Sequence, residues 1–119
     1  MAETVTVSAN ADAGFSIVTY TGDGATATVG HGLSKAPEMI IVKDRSDDKD
    51  WLVYHTGIGN TKNLRLNEND AEDVESAYWN DTSPTASFFT LGASSTGNTD
   101  DDNYVAYCFH SVDGYSKVG

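Results

Sequence analysis

The chain has 119 residues, and 18 acidic against seven basic side chains give it a net charge of −11. Nucleic-acid binding and polybasic membrane anchoring both need a basic surface, so this balance excludes both classes. No apolar run reaches the roughly 20 residues of a membrane span, and a single cysteine excludes an internal disulfide scaffold and a paired-cysteine metal site.

The N-terminal part of the chain shows the alternation of β-strands rather than the periodicity of a helix. Val5 and Val7 share one face of residues 1–13, which we expect to form an N-terminal assembly arm or an edge strand. Residues 15–20 and 25–29 are rich in β-branched and aromatic types, and the turn sequence Thr-Gly-Asp-Gly separates them. We therefore predict that these two segments pair as a hairpin.

Further strand-like segments follow along the chain. Residues 38–43 contain four consecutive apolar side chains after Pro37, which predicts a strand buried on both faces. Residues 69–76 begin with an asparagine and carry several acids, which predicts one short polar helical turn. The remaining predicted strands are residues 51–55, 62–66, 87–91 and 104–110.

This succession of short strands and polar turns, with almost no helix, predicts the fold class. It indicates an all-β protein, an antiparallel β-sandwich or jelly-roll-like domain of about seven to nine short strands. We expect residues 14–119 to form this single domain, with residues 1–13 preceding it as the arm or edge strand.

Residue types that serve catalysis are present, but their spacing is not that of a catalytic motif. His31, His55 and His110 show no metal-ligand spacing, so each is expected to be structural or solvated. Cys108 shares a predicted strand face with Ala106, which favours a small buried thiol. The sequence contains no nucleophile elbow or phosphate-binding glycine loop, and with 18 acids some carboxylate pair is inevitable and carries no signal. We expect a protein that is not an enzyme.

Two segments contain candidate binding residues. Tyr78, Trp79 and Asn80 place aromatic rings beside an amide, which suits stacking on a sugar and hydrogen bonding to its hydroxyls. The alternative is that Trp79 closes one end of the sandwich. Clustered carboxylates are the oxygen ligands that Ca²⁺ favours, and we expect weak Ca²⁺ binding at most and no other cofactor. The acidic candidates are Asp100, Asp101 and Asp102, with a further group at Asp47, Asp48 and Asp50.

Three runs in the first half of the chain carry a resemblance to a known family. They are Gly-Phe-Ser-Ile-Val-Thr-Tyr-Thr-Gly-Asp-Gly at residues 14–24, Val-Gly-His-Gly-Leu at 29–33 and Ala-Pro-Glu-Met-Ile-Ile-Val-Lys at 36–43. Extended by residues 51–55, 78–80 and 104–109, these runs resemble a domain of tailed-phage virion proteins that is common in phages of marine bacteria and cyanobacteria. The resemblance covers residues 14–119. Such domains usually occur within longer tail-fibre or tail-associated proteins, often beside lectin-like modules.

The resemblance implies a role in the virus particle. We expect a non-enzymatic structural protein on the virion surface, either a capsid decoration or a tail-fibre component used in host attachment. It would be made in the host cytoplasm, released by lysis, and assembled as a homo-oligomer that contacts other virion proteins and a host surface glycan. The alternatives are a carbohydrate-binding host-recognition module and a polysaccharide-degrading hydrolase, which generally needs a larger platform than this chain offers.

Overall fold

A computed structural model describes residues 5–10, 12–22, 24–46, 51–57, 62–65, 73–74, 79, 82–92 and 102–112 of the chain. The described residues form nine β-strands, and the protein is all-β, as its sequence predicts. In chain order the strands are β1 Val5–Asn10, β2 Phe15–Thr21, β3 Ala27–Gly30, β4 Met39–Asp44, β5 Leu52–His55, β6 Lys62–Arg65, β7 Asp73–Val74, β8 Phe88–Leu91 and β9 Asn103–Phe109. Within this part of the chain, no helix is long and apolar enough to span a membrane.

The strands form two antiparallel sheets that pack face to face as a β-sandwich. The large sheet has the order β1-β2-β9-β4-β5-β6-β7, and the small sheet consists of β3 and β8. Although β9 comes last among these strands, it lies between β2 and β4, and it pairs with both of them along most of its length. β2 and β4 are therefore joined through a strand that begins about 80 residues after β2 ends and about 60 residues after β4 ends.

The hydrophobic core lies between the sheets and takes alternate residues from each strand, as strand geometry requires. Tyr20 stacks on Tyr104 of the neighbouring β9, with 5.1 Å between ring centroids, and meets the edge of Phe89 from the small sheet at 6.3 Å. Burial raises the pKa of the Tyr20 phenol well above its usual value. The buried core residues are Val18, Tyr20, Val29, Leu33, Ile40, Val42, Leu52, Tyr54, Trp79, Phe89, Leu91, Tyr104, Ala106 and Cys108.

The turn between β1 and β2 is closed by Asn10 and Gly14. The backbone and side-chain oxygens of Asn10 both accept a hydrogen bond from the Ala13 amide, at 3.2 and 3.1 Å. Gly14 has a φ of 71°, a left-handed conformation that favours glycine. A Cβ at this position would also collide with the carbonyl oxygen of His110. Glycine is therefore needed here both for the backbone conformation and for the close approach of the chain that follows β9.

The predicted hairpin of residues 15–20 and 25–29 is wrong. In the structure β2 pairs with β1 and β9, whereas β3 pairs with β8 in the other sheet. The chain between β2 and β3 therefore crosses from one sheet to the other and does not reverse within a sheet. A Gly-Asp-Gly turn predicts a change of direction, but the partner of each strand is decided by the side-chain packing of the whole sandwich.

Two smaller predictions also need correction. The helical turn predicted at residues 69–76 is wrong where the structure describes it, because Asp73–Val74 is a strand that pairs with β6. The other residues of that segment lie outside the described residues. Strand β4 is not buried on both faces: Ile40 is fully buried, while its neighbour Ile41 is half-buried. Only one face of β4 is turned toward the small sheet, which explains the difference.

Candidate interaction surface

The face of the large sheet that points away from the small sheet carries two rows of apolar side chains. In the first row Phe15 of β2 pairs with Phe109 of β9, and Phe109 pairs with Met39 of β4. In the second row, two residues away along each strand, Ile17 of β2 pairs with Tyr107 of β9, and Tyr107 pairs with Ile41 of β4. Together the outer apolar face consists of Phe15, Phe109, Met39, Ile17, Tyr107 and Ile41.

The side chains of the outer apolar face remain accessible to solvent. Ile17 is 37% exposed, and the other members are half-buried against their neighbours in the sheet. The rings of Phe15 and Phe109 lie in tilted contact, with 5.0 Å between centroids. An antiparallel sheet with one solvated face usually carries polar residues there, and contiguous apolar surface commonly marks a contact with another molecule. We therefore treat this face as the candidate interaction surface.

Charge is almost absent from this face, although the whole chain carries a net charge of −11. Among the outward positions of β2, β9 and β4, Lys43 is the one charged residue. Lys43 pairs across the strands with Val105, which pairs in turn with Thr19. A second molecule can therefore cover these strands without removing a carboxylate from water, which is the costly part of burying a charge.

Val5 and Val7, the predicted assembly residues, lie in β1 at one edge of the large sheet. Val7 pairs with Val18, so both valines point to the core side, where Val5 packs against the core and Val7 remains 39% exposed. Gly32, with a φ of 74°, lies above this strand. A Cβ on Gly32 would stand 2.7 Å from Cγ1 of Val7 and 3.0 Å from Cβ of Ala9, so the loop after β3 approaches β1 closely.

His31 fixes the loop that contains Gly32. The imidazole is fully buried, and its Nε2 lies 2.8 Å from the carbonyl oxygen of Thr85. Its Nδ1 accepts a hydrogen bond from the Leu33 amide at 3.0 Å. A carbonyl can only accept and an amide can only donate, so the ring is neutral, with its proton on Nε2. Burial lowers the pKa of His31 below its usual value, which favours the same neutral form.

Glu38 ties the start of β4 to the chain that follows β9. Its Oε1 accepts a hydrogen bond from the Ser111 amide at 2.7 Å, and its Oε2 accepts one from the Ser111 hydroxyl at 3.3 Å. The bond from the Ser111 amide, which favours the ionised carboxylate, is the main reason that the pKa of Glu38 is lowered. Both carboxylate oxygens therefore serve to hold two backbone segments together, and this geometry indicates a structural role.

A small polar depression lies at the opposite ends of these strands, and its volume is about 100 Å³. Its polar groups bond largely to one another: Arg45 donates its amide to the Asn103 carbonyl at 2.7 Å, and the Thr21 hydroxyl donates to Oδ1 of Asn103 at 3.3 Å. The Asn103 amide in turn donates to Oγ of Ser46 at 2.8 Å. The lining residues are Thr19, Tyr20, Thr21, Arg45, Asn103 and Tyr104.

The structure describes one of the three candidate sugar-binding residues, Trp79. Its indole is 2% exposed and packs edge-on against Tyr54, with 5.7 Å between ring centroids. Tyr78 and Asn80 lie outside the described residues. A ring buried to this extent presents no free face to a sugar, so the stacking role expected for Trp79 is not open to it in this conformation.

The acidic candidates for Ca²⁺ binding are described only at Asp102. That residue is half-buried, and its backbone carbonyl accepts a hydrogen bond from the Gly22 amide at 2.9 Å. The other candidate aspartates, at positions 47, 48, 50, 100 and 101, lie outside the described residues. In the part of the chain that the structure describes, no group of three or more histidine, cysteine or acidic side chains could hold a metal ion.

The buried thiol predicted for Cys108 is confirmed. Cys108 is fully buried in β9 opposite Ser16 of β2, and burial raises the pKa of its thiol to about 12. A thiol with that pKa is protonated at neutral pH, and the thiolate that would act as a nucleophile is not populated. The only cysteine of the chain therefore serves as a small core residue.

The outer apolar face was missed by the sequence analysis, although a signal for it exists. Alternation along β2 and β9 is incomplete, because Phe15, Ile17, Tyr107 and Phe109 fall at positions where a solvated strand face carries polar residues. Apolar residues at these outward positions indicate a strand with two apolar faces rather than one. Only the strand register shows that they lie next to one another and form a single surface.

The fold and this surface define a class: an all-β domain of two antiparallel sheets with an apolar, nearly uncharged outer face. Over residues 2–119 the chain matches a family described as a domain of unknown function, DUF7483, and it belongs to that family. Comparison with curated proteins and with solved structures gives no match.

Proposed function

We propose that the protein is a non-enzymatic structural component of a bacteriophage particle, exposed on the virion surface as a capsid decoration or as a tail-fibre or attachment component. The observation that carries the proposal is the outer apolar face, which an acidic chain keeps nearly free of charge. The resemblance of residues 14–119 to a domain of tailed-phage virion proteins supports the particle as the setting. The protein would be made in the host cytoplasm and released with the particle by lysis.

A protein whose function is attachment to neighbours needs a face that gains free energy when another molecule covers it. Burial of apolar surface contributes roughly 25 cal/mol for each Å² removed from water. On the outer apolar face that gain is not offset by carboxylates that lose their hydration. The rings of Phe15, Phe109 and Tyr107 supply large, stiff contact area, which is typical of residues that dominate protein interfaces.

The two alternative functions expected from the sequence lack such support. Stacking of a host glycan on Trp79 is blocked by the burial of its indole. The small polar depression has no acidic side chain in its lining, whereas glycoside hydrolysis uses a pair of them. We therefore argue for attachment alone.

The proposal is tested by asking whether the chain is part of purified particles. Virions from cells that carry the gene are purified through a density gradient, and their proteins are identified by mass spectrometry. We expect peptides of this chain at a fixed ratio to the major capsid or tail protein. Their absence from intact particles, while they remain in the soluble lysate, would contradict the proposal.

A variant of the outer apolar face tests the surface itself. Ile17→Asp places a charge on the β2 side of that face, beside Tyr107, and the fold should tolerate it because Ile17 is 37% exposed. We expect association with particles to fall by about tenfold or more, since a desolvated carboxylate opposes docking. Thr26→Asp, at an exposed position before β3, is the matched control and should associate normally. Equal association of both folded variants would show that this face is not the attachment surface.

A further inference from the structure

The loop that follows β3 lies against the edge strand β1. Gly32 approaches Val7 and Ala9 so closely that a Cβ on it would be nearer to both side chains than an ordinary van der Waals contact allows. Its φ of 74° is a left-handed conformation that favours glycine. The loop therefore has no room to move closer to β1, so a rearrangement of the loop carries it away from that strand.

His31, the residue before Gly32, anchors this loop to the turn that precedes β8. Its backbone amide donates to the Ser87 carbonyl at 3.3 Å, and its Nε2 donates to the Thr85 carbonyl at 2.8 Å. Its Nδ1 accepts a hydrogen bond from the Leu33 amide at 3.0 Å. Both ring nitrogens are therefore in use, and the two bonds that they make together require a neutral imidazole.

A second proton on His31 is incompatible with this arrangement. The proton would sit on Nδ1 and point at the Leu33 amide, so that two donors would face each other and their bond would be lost. The ring is also fully buried, and a buried cation that lacks an acceptor is costly. The imidazolium must therefore leave its site, and the loop that carries it must move.

The groups that face His31 do not compensate for a positive charge. The described residues that contact its loop from β1 and from the turn before β8 are uncharged. The described charge that acts on His31 is that of His110, which follows β9, is also buried and would repel a second cationic ring. Glu38, at the far end of the same loop, acts instead on His110 and His55. Lys35, also in the loop, is exposed.

We propose that protonation of His31 releases the loop at His31 and Gly32 from β1 and from the turn before β8, while the rest of the sandwich stays folded. The pairing of β9 with β2 and β4 uses none of the bonds that are lost. Release uncovers Val7 and Ala9 on the core side of β1, so the chain presents a larger apolar edge in acid than at neutral pH. This change within the chain does not depend on attachment to a particle.

Hydrogen exchange of the Leu33 amide, followed by NMR from about pH 7.5 to 4.5, tests the release. Burial lowers the pKa of His31 from 6.5 in the closed loop, and the released ring regains its ordinary value. The closed loop is therefore fully favoured above pH 6.5. Below it, protection of the Leu33 amide, corrected for the intrinsic exchange rate, should fall by up to about tenfold per pH unit until the lowered pKa is reached.

The amides of β9 are the internal reference, because that strand is paired on both sides. At the acid end of the range the Leu33 amide should be nearly unprotected, whereas the β9 amides should keep most of their protection. Near-UV circular dichroism, recorded over the same range, should show that the aromatic core remains packed. Equal loss of protection at Leu33 and in β9 would mean that the whole domain unfolds, and it would overturn the proposal.

His31→Gln and His55→Gln form a matched pair of variants. His55 makes the same local bond, since its Nδ1 accepts from the Gly57 amide at 2.9 Å, but its ring is half-buried and lies at the end of β5. A glutamine takes up no proton in this range, so His31→Gln should show no acid-dependent loss of protection at Leu33. His55→Gln should keep the wild-type response. A folded His31→Gln variant that retains the response would overturn the proposal and assign the release to another group, with His110 the first to test.

The imidazole spectrum of the wild-type chain gives a test that needs no substitution. Long-range proton–nitrogen NMR should show the His31 ring neutral at pH 7.5, with its proton on Nε2, and should follow its protonation as the pH falls. The backbone amide signals of Gly32, Val7 and Ala9 should shift with the same midpoint as the ring. Protonation of His31 without a change at these three residues would show that the loop stays closed, and it would overturn the proposal.

Discussion

The two faces of the large sheet are built by the same strands and yet are covered differently. Ile40 and Ile41 are adjacent in β4; the first is fully buried under the small sheet, and the second is half-buried on the outer side. Both faces are apolar, and among the residues that the structure describes the small sheet packs on the inner face. The comparison shows that packing against the small sheet does not account for the apolar residues of the outer face, which is why we propose that a partner covers them.

The largest expected effect comes from truncating these two isoleucines separately. Ile40→Ala removes a fully buried side chain and leaves a cavity, and it should lower the free energy of unfolding by about 2–5 kcal/mol. Ile41→Ala should cost about 1 kcal/mol, because its side chain is already half in water. Urea denaturation of both variants gives the two values on one scale.

The same two variants also test whether the two faces of the large sheet really differ in burial. An Ile41→Ala variant as unstable as Ile40→Ala would mean that the outer face is a second core and is covered within the chain. In that case the half-exposed rows would no longer argue for a docking partner.

The pH dependence of stability gives a second test of the interior, because the interior contains an ionisable group, His31. Its pKa in the folded state is lowered from 6.5, so the unfolded chain takes up the proton first as the pH falls. The stabilisation due to the neutral ring is complete above pH 6.5 and is lost as the pH falls below it, by up to about 1.4 kcal/mol per pH unit until the folded-state pKa is reached.

Thermal unfolding measured at a series of pH values checks this dependence. The variant His31→Gln keeps a donor for the Thr85 carbonyl and cannot be protonated, so it should be less stable near neutral pH and lose most of the slope just below pH 6.5. A variant that retains the full slope would show that His31 is not the group responsible.

The smallest effect is expected at the rim of the sheet, where Glu38 binds Ser111. Because the pKa of Glu38 is lowered in the folded state, its contribution is present above pH 4.5 and is lost as the pH falls through the lowered value. Glu38→Gln keeps an acceptor for the Ser111 amide but removes the charge, and because the carboxylate is half-buried it should cost only about 0.5 kcal/mol. A loss as large as that of Ile40→Ala, in the same denaturation assay, would contradict this ranking.

The sequence was sufficient to predict the strands because their signal is local. Alternation along residues 15–20 and 104–110, and the apolar run at residues 38–43, each reflect a strand with at least one face in the core. Those segments correspond closely to β2, β9 and β4, and the antiparallel two-sheet class follows from their number and spacing.

Strand pairing could not be predicted in the same way, because it depends on contacts between distant segments. The turn between residues 20 and 25 is real, but β2 and β3 find their partners in β9 and β8, more than 50 residues later. The asparagine and the acids of residues 69–76 predicted a short helical turn. No local property of that segment predicts the pairing of β7 with β6.

The candidate interaction surface was even harder to predict from the sequence than the strand pairing. Each apolar residue on the outer side, such as Ile17 or Tyr107, can be read locally as core, and only the register places the two beside each other on the same face. The edge strand is an intermediate case: Val5 and Val7 were predicted to lie in an arm or an edge strand, but only the strand order shows that β1 lies at an edge of the large sheet.

The central place of β9 has a consequence for how this chain acquires its shape. During synthesis β1 and β2 can form a hairpin early, and β4 can meet β5, but these two halves have no common neighbour until Asn103–Phe109 has left the ribosome. Until then the inward side chains of β2 and β4, such as Val18 and Val42, lack the strand that lies between them in the folded protein. Folding should therefore be a late, concerted step that is slow for a chain of this size, as expected where most contacts join distant parts of the sequence.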